Sequence, residues 1–461
     1  MLKRILIATA AATAFATVAA CSSSGSSGGS GATTPGGATD SSSSAATSGS
    51  TAAGGGSSSI PSTPVTLTLW HNYGTEQNAT ATKNLVDAYQ KLHPNVTIKI
   101  VSQPADNYFS LLQASAVSKT GPDIAVMWTG LFTLQYKSFL SGLKGLVPDA
   151  ALQKEQGLQW TTDNFDPNGN PYVMPLETQF YIGFYNKQAF TKAGVSSVPT
   201  TWSELYSACS KLKAAGYTPI VYGNGGQSLG AEFYPWYDAS YLEIGQLPVD
   251  QWRNLYDGKT AWNSSGQLDA FGKWAALESK GCTNSDVLTK TNNIDDFVGG
   301  KAAMIIDGTW DTQKFTDAMK DNVAAFVPPF SDTPIKGVVD FPGDGFSITS
   351  YSKHKDVAGD FLGFIASDAG QAAINAAGLI PDVKGATTDN PVNQQMLDFV
   401  SKDGMTPYPM LDNVVQGDVV DAGNKTLPSI LANKMSPSSG LGTLQSTWQH
   451  LSPDKRSSTY K

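Results

Sequence analysis

The sequence is short of charge, histidine and cysteine, and each shortage excludes a class of function. Asp, Glu, Lys and Arg make up 15% of the 461 residues. No basic run or helix of interleaved Lys, Arg and aromatic residues occurs, so the footprint of a nucleic-acid binder is missing. With four histidines and three cysteines, there is no Cys/His cluster, no H-E-x-x-H and no Walker loop. Metal-assisted hydrolysis and nucleotide hydrolysis therefore lack ligands, and no metal or cofactor is expected. Beyond the first twenty residues no apolar run reaches the length of a membrane span. No internal repeat is visible.

What is present begins with a leader. Lys3 and Arg4 precede an uncharged stretch from Ile5 to Ala20, then Cys21. That order of positive, apolar and small residues is a secretory signal. Val18-Ala19-Ala20-Cys21 resembles a bacterial lipobox, which implies diacylation of Cys21 and a lipid anchor outside the cytoplasm, with residues 1–21 as signal peptide. Residues 22–60 hold 15 Ser, 10 Gly, 6 Ala and 5 Thr, with Asp40 the only ionisable side chain. Such a segment buries too little apolar surface to offset chain entropy and reads as a flexible linker. At about 5–6 Å times the square root of its length, it places the folded part roughly 35 Å from the anchor. Removing Lys3 and Arg4 leaves 29 of the 31 basic residues against 39 acids, a net charge of −10. Cys209 and Cys282 remain; in an exported chain two cysteines more often pair than stay free.

From Pro64 the chain alternates strands with helices. VTLTLWHNYG reads as a first strand and loop, Thr80 to Leu92 as a helix, VTIKIVSQP as a second strand. Asn168-Gly169 in FDPNGNPYVMPLE is a hairpin signal. Asp166, Asn168 and Asn170 imitate a calcium loop, but the closing acid is missing at the required spacing. Thr201, two residues after Pro199 and three before Glu204, caps a helix that Gly216 closes. A strand over Thr218 to Tyr222 follows, then helical spacing near Leu268–Lys280 and Val357–Ile365. The pattern is α/β with a parallel sheet and crossovers.

Two strands share an ending. KTGPDIAVMWTG places Trp128 at the end of an apolar strand, and GKAAMIIDGTWD places Trp310 just past a second one, broken at Gly308. Strand ends are where α/β folds put their ligands.

These pieces together resemble the extracellular solute-binding proteins of ABC importers, in the maltose-binding branch. The matching residues are Gly121-Pro122-Asp123-Ile124, Pro175-Leu176-Glu177, Tyr185-Asn186-Lys187, Pro199 with Thr201-Trp202 and Leu205, Phe297 with Gly300 to Met304, Gly308 with Trp310, and Gly345-Phe346. Their order covers residues 65 to 380. The resemblance implies a two-lobe periplasmic-binding-protein fold with a three-crossing hinge and a ligand cleft between the lobes. Crossings are expected near Leu176–Gln179, Phe326–Pro329 and Leu379–Asp382. That assigns 61–177 and 329–379 to lobe 1, and 178–328 and 380–461 to lobe 2. The implied partners are a mono- or oligosaccharide and ABC permease subunits, with the protein itself a monomer.

A sugar offers an apolar C–H face and a rim of hydroxyls, so its site needs flat aromatic surfaces beside acids or amides. By the resemblance, Trp310 is a stacking platform, Trp128 lies in the strand-end region that supplies contacts, and Glu177 bonds hydroxyls. Tyr234, Trp236 and Tyr237 resemble the aromatic cluster of the second lobe. Trp70, His71 and Asn72 occupy the loop that contributes a polar contact. There the maltose binder has charged residues, which argues against maltose itself. Asp123, Gly308, Asp344 and Phe346 complete the expected set.

Two enzymatic readings compete with this one. GQSLG, residues 226 to 230, fits G-x-S-x-G after a strand, which would make Ser228 the nucleophile of an esterase. The histidines available downstream are His354, in a charged loop-like stretch, and His450, near a polar tail. A glycosidase needs two placed carboxylates, and the neighbours Asp295 and Asp296 would point apart. A binding protein for a non-sugar solute is the third alternative.

Overall fold

The run AAMII in GKAAMIIDGTWD, which no polar residue interrupts, is a strand covered on both faces, and its surroundings show why. The computed structural model describes residues 62–73, 77–224, 229–246 and 251–456. The signal peptide, Cys21, the linker and Ser228 lie outside the described residues, as does the side chain of Tyr234.

Among the described residues, eleven strands form two sheets. They are β1 Val65–His71, β2 Val96–Ser102, β3 Ile124–Trp128, β4 Met174–Pro175, β5 Thr178–Asn186, β6 Thr218–Val221, β7 Ala302–Gly308, β8 Val323–Phe326, β9 Gly337–Pro342, β10 Asp344–Ile348 and β11 Thr406–Tyr408. The first sheet runs β2-β1-β3-β10-β4, parallel through β3 and antiparallel beyond it. The second runs β11-β9-β5-β7-β6, with β8 also on β5. One core, with Leu67, Leu69, Val126, Phe346 and Phe361, belongs to the first sheet. The second sheet has a core on each face, and β5 alternates between them. Phe180, Ile182 and Phe184 enter one and Tyr181 the other, as the period of two requires. This is the two-lobe α/β architecture.

Local signals explain most elements. The hydroxyl of Thr201 accepts from the Glu204 amide at 3.4 Å and starts the helix Trp202–Ala214, while Gly216 at φ +89° follows its end. Cys209 of that helix is bonded to Cys282, with Cα atoms 5.0 Å apart. One expected element is absent: Asn168-Gly169 joins no pair of strands. The Asn168 amide donates to Asp166 Oδ1 at 2.9 Å and the Gly169 amide to the Asp166 carbonyl at 2.9 Å. The Asp side chain satisfies a local turn, so no ladder is needed.

The chain passes between the sheets three times, and the passages lie abreast. The first is Leu176-Glu177, between β4 and β5. The second is Gly343 alone, between β9 and β10, its amide donating to the Glu177 carbonyl at 3.2 Å. The third is near Leu379-Ile380, where the first residue packs into the first-sheet core and the next into a second-sheet core. Glu177 bridges to Pro381 beside it. The second passage differs from the expectation of Phe326–Pro329. Phe326 still pairs with Gly183 of β5, and Phe330 and Ile335 pack in the second lobe. Pro328 and Pro329 break the chain locally without leaving the lobe, so residues 329–342 belong to the second sheet's side and the first lobe resumes at Asp344.

Candidate functional site

The sheets present their strand ends to each other across these passages. On the first side stand His71 at the end of β1 with Asn72 and Tyr73 after it, Trp128 at the end of β3, and Asp344 at the start of β10, opposite Trp128 in the ladder. On the second side Tyr181 of β5 is opposite Gly308, the last residue of β7. A relay of side chains joins the two sides through the hinge. Asn78, in the helix Gln77–Leu92, donates to Glu177 Oε1. The Gln179 amide donates to the same oxygen at 2.8 Å, and the Tyr181 hydroxyl donates to Gln179 Oε1 at 2.8 Å. Glu177 is wholly buried in this chain of polar groups.

Trp310 stands at the mouth, in the turn Thr309–Asp311, half-buried. Its indole lies flat on the backbone of Gly308, where a methyl would run into the ring. Tyr181 meets it edge-on at 5.3 Å, and Tyr237 packs behind at 6.0 Å. The turn approaches the first-lobe helix Gln77–Leu92. Two carboxyls flank Trp310 in the chain, Asp307 and Asp311, and the Trp310 N–H favours the ionised form of each. Burial, reinforced by the charge of Asp311, holds Asp307 well above the ordinary carboxylate range, and burial raises Asp311 too. The exposed Lys314 opposes both shifts without cancelling them. Asp412, whose charge acts on Tyr181 and Tyr237, is pushed up to about 7 by burial. Burial thus favours the neutral, proton-bearing form of each of these carboxyls, the form that can donate as well as accept hydrogen bonds.

The expected residues divide. Gly308, Trp310, Tyr237, Glu177, Asp344, Trp128, His71 and Asn72 gather at the strand ends. Trp128 is half-buried, edge-on to Phe109 at 4.8 Å and Phe132 at 4.9 Å. His71 Nδ1 accepts the Tyr73 N–H at 3.2 Å, and burial lowers its pKa, so the ring is neutral with its proton on Nε2. The amide oxygen of Asn72 is buried without a hydrogen-bond partner among the described residues. Trp70, inside β1, is half-buried against the first core.

Three residues do not belong. Trp236 is fully buried among second-lobe residues, donating to Asn424 Oδ1 at 2.8 Å. Phe346, in the middle of β10, is fully buried in the first core. Asp123 precedes β3, at the opposite end of that strand from Trp128. It accepts from the Thr68 amide at 3.0 Å and the Ser352 hydroxyl at 2.7 Å, a structural clasp. Sequence reasoning missed Asn78, Gln179, Tyr181, Asp307, Asp311 and Asp412. The two acids flanking Trp310 carried a signal, since they share its turn. Tyr181 carried none, because its place depends on pairing with a strand more than a hundred residues away.

Residues 73–372 match the family of bacterial extracellular solute-binding proteins. A binding protein of Brucella abortus is 22% identical over 362 residues, covering 76% of this chain and 84% of that one. An sn-glycerol-3-phosphate-binding periplasmic protein of Shigella flexneri is 24% identical over 295 residues, 59% of this chain and 64% of the relative. Among solved structures, a chitin oligosaccharide binding protein aligns with a TM-score of 0.71 at 23% identity, over 83% of this chain and 98% of that one. A maltose-bound protein of T. maritima aligns at 0.68 and 18% identity, over 83% and 98%. Family and fold are those of binding proteins, not enzymes. The match over most of the folded part, on a two-lobe frame with its strand ends facing across a triple passage, identifies the chain as a member of the bacterial extracellular solute-binding protein family, acting outside the cytoplasm.

Proposed function

We propose that this protein captures a mono- or oligosaccharide between its lobes and delivers it to the permease of an ABC importer, held at the membrane by a lipid on Cys21. The observation that carries the reading is Trp310: a half-exposed indole laid on Gly308 at the lobe mouth, flanked in the chain by Asp307 and Asp311. The ring suits the C–H face of a sugar, and the flanking carboxyls suit its rim of hydroxyls. The unpartnered oxygen of Asn72 adds a buried acceptor. Several solved relatives in fold bind saccharides, which supports the same class here. The glycerol-phosphate relative favours an anionic ligand, but a phosphate requires cations. The basic group acting on Asp307 and Asp311 is Lys314, which is exposed. An uncharged sugar fits better.

Calorimetry against a panel of neutral saccharides, with product analysis, tests the reading: saturable binding of unchanged sugar is expected. Turnover of the sugar, or binding of glycerol 3-phosphate alone, would count against it. Trp310→Ala is expected to weaken binding by about 1–3 kcal/mol, roughly 5- to 150-fold. Cys21→Ser is expected to release the protein from the membrane fraction into the soluble one, read by fractionation; retention at the membrane would overturn the anchor.

A further inference from the structure

Where the three passages meet, three carboxyls that the ligand site does not use come together. Asp382, on the third passage, is 1% exposed. Its Oδ1 accepts from the Thr178 hydroxyl at 2.6 Å, and its Oδ2 from the Gly157 amide at 2.9 Å. Gly157 is glycine for a reason of space: a methyl there would strike both Asp382 and Pro342, the last residue before the second passage. Asp382 thus ties a first-lobe segment to the start of β5, just past the first crossing. Gln156 reinforces the tie, its amide donating to the Thr178 hydroxyl at 2.6 Å. Glu155, 3% exposed, faces Asp382 and bridges to Val383. Asp340, on β9, faces Asp382 from the second lobe.

The charged groups around this cluster do not neutralise it. Lys384 acts on Glu155, but its ammonium is bonded to the Gln153 carbonyl at 2.8 Å. Lys154 is turned to the Ala366 carbonyl at 3.1 Å and to Asp368. Glu155 and Asp382, side by side in a buried joint, cannot both ionise freely, because the charge of Asp382 opposes that of Glu155 where water is excluded; the same charge reaches Asp340, which is half-buried on β9.

We propose that the hinge is a proton-operated joint: Glu155, Asp340 and Asp382 hold protons while the passages are packed together and release them when the joint loosens, so that pH sets the balance between lobe arrangements. This regulation rests on the reading that capture works by rotation of the lobes about the passages. The direction follows from linkage. Burial pushes Asp340 and Asp382 up to about 7, and Glu155 well above its ordinary value. A carboxyl raised in the packed joint binds its proton more tightly there than in a hydrated one. The packed joint is therefore favoured at low pH and loses ground as pH rises through about 7.

The test uses no ligand, so its failure and the failure of the sugar reading are separate events. Donor and acceptor dyes are placed on Lys99→Cys and Lys192→Cys, exposed positions on the two lobes, in the full chain carrying Cys21→Ser. Energy transfer is followed from about pH 5.5 to about pH 8.5. The parent is expected to show a transition, and Asp382→Asn to flatten it. Asp340→Asn removes a carboxyl whose ionisation the Asp382 charge opposes and breaks none of the hydrogen bonds to Asp382, so the transition is expected to become shallower. That second variant decides the matter if Asp382→Asn does not fold. A flat parent curve, or a parent transition whose steepness Asp340→Asn leaves unchanged, would overturn the proposal.

Discussion

Trp236→Ala is expected to lower folding stability by about 3–5 kcal/mol and to leave the affinity of the folded protein for its ligand unchanged. The side chain fills a closed space: Gly423 lies so near that a methyl there would enter the ring, and Trp262 meets it edge-on at 6.0 Å. Truncation removes one of the largest fully buried side chains and leaves a cavity that Gly423 cannot fill. It also strips Asn424 Oδ1 of the indole N–H that satisfies it at 2.8 Å. Urea unfolding measures the first effect and calorimetry the second. Trp310→Ala is expected to give the opposite pattern, with affinity lost and stability nearly kept. A Trp236→Ala protein that unfolds at the parental urea concentration but binds weakly would return that residue to the site and undo the distinction drawn here.

Replacing both Cys209 and Cys282 by alanine is expected to destabilise the protein by about 4 kcal/mol. The loop closed by the bond spans 73 residues, and the chain-entropy argument gives a value of that order. Both sulfurs are fully buried in the second-lobe core. The bond ties the helix Trp202–Ala214 to the segment after the helix Ser265–Ser279, where the Cys282 carbonyl accepts from Ile220 of β6 at 2.8 Å. Breaking it gives the unfolded chain more conformations and opens a small void in the folded one. The comparison is made by equilibrium unfolding of parent and double variant. Equal midpoints would mean the fold holds the two helices without the link. An oxidised pair of this kind suits the extracytoplasmic setting of the family.

Much of this was legible because the signals were local. The Thr201 cap, the apolar run from Ala302 and the Gly308 break each act within a few residues, and each produced the element it implied. The errors share a different cause. FYPWYD looked like a ligand platform, but residues 235 to 244 form a helix end buried on every side, so Trp236 and Tyr237, one step apart, point to different places. Only the packing of that helix decides which of the two meets Trp310. The resemblance placed the second crossing near Phe326–Pro329, whereas the passage lies at Gly343, an inconspicuous residue between two strands. Asp123 shares a motif with its family yet sits at the wrong end of its strand, a matter of strand direction. Tyr181 and Asp412 reached the site through long-range pairing and packing that no local window contains.

The brevity of that middle passage has a mechanical consequence. A link of one residue, held on one side by the Glu177 carbonyl and on the other by the Thr129 amide, which donates to the Gly343 carbonyl at 3.1 Å, has no slack to pay out. The halves of the molecule can swivel around this pin, but they cannot slide along each other or drift apart. A substrate arriving at the mouth therefore meets jaws whose bite is fixed at the root, and the span it can fill is set by swing angle alone.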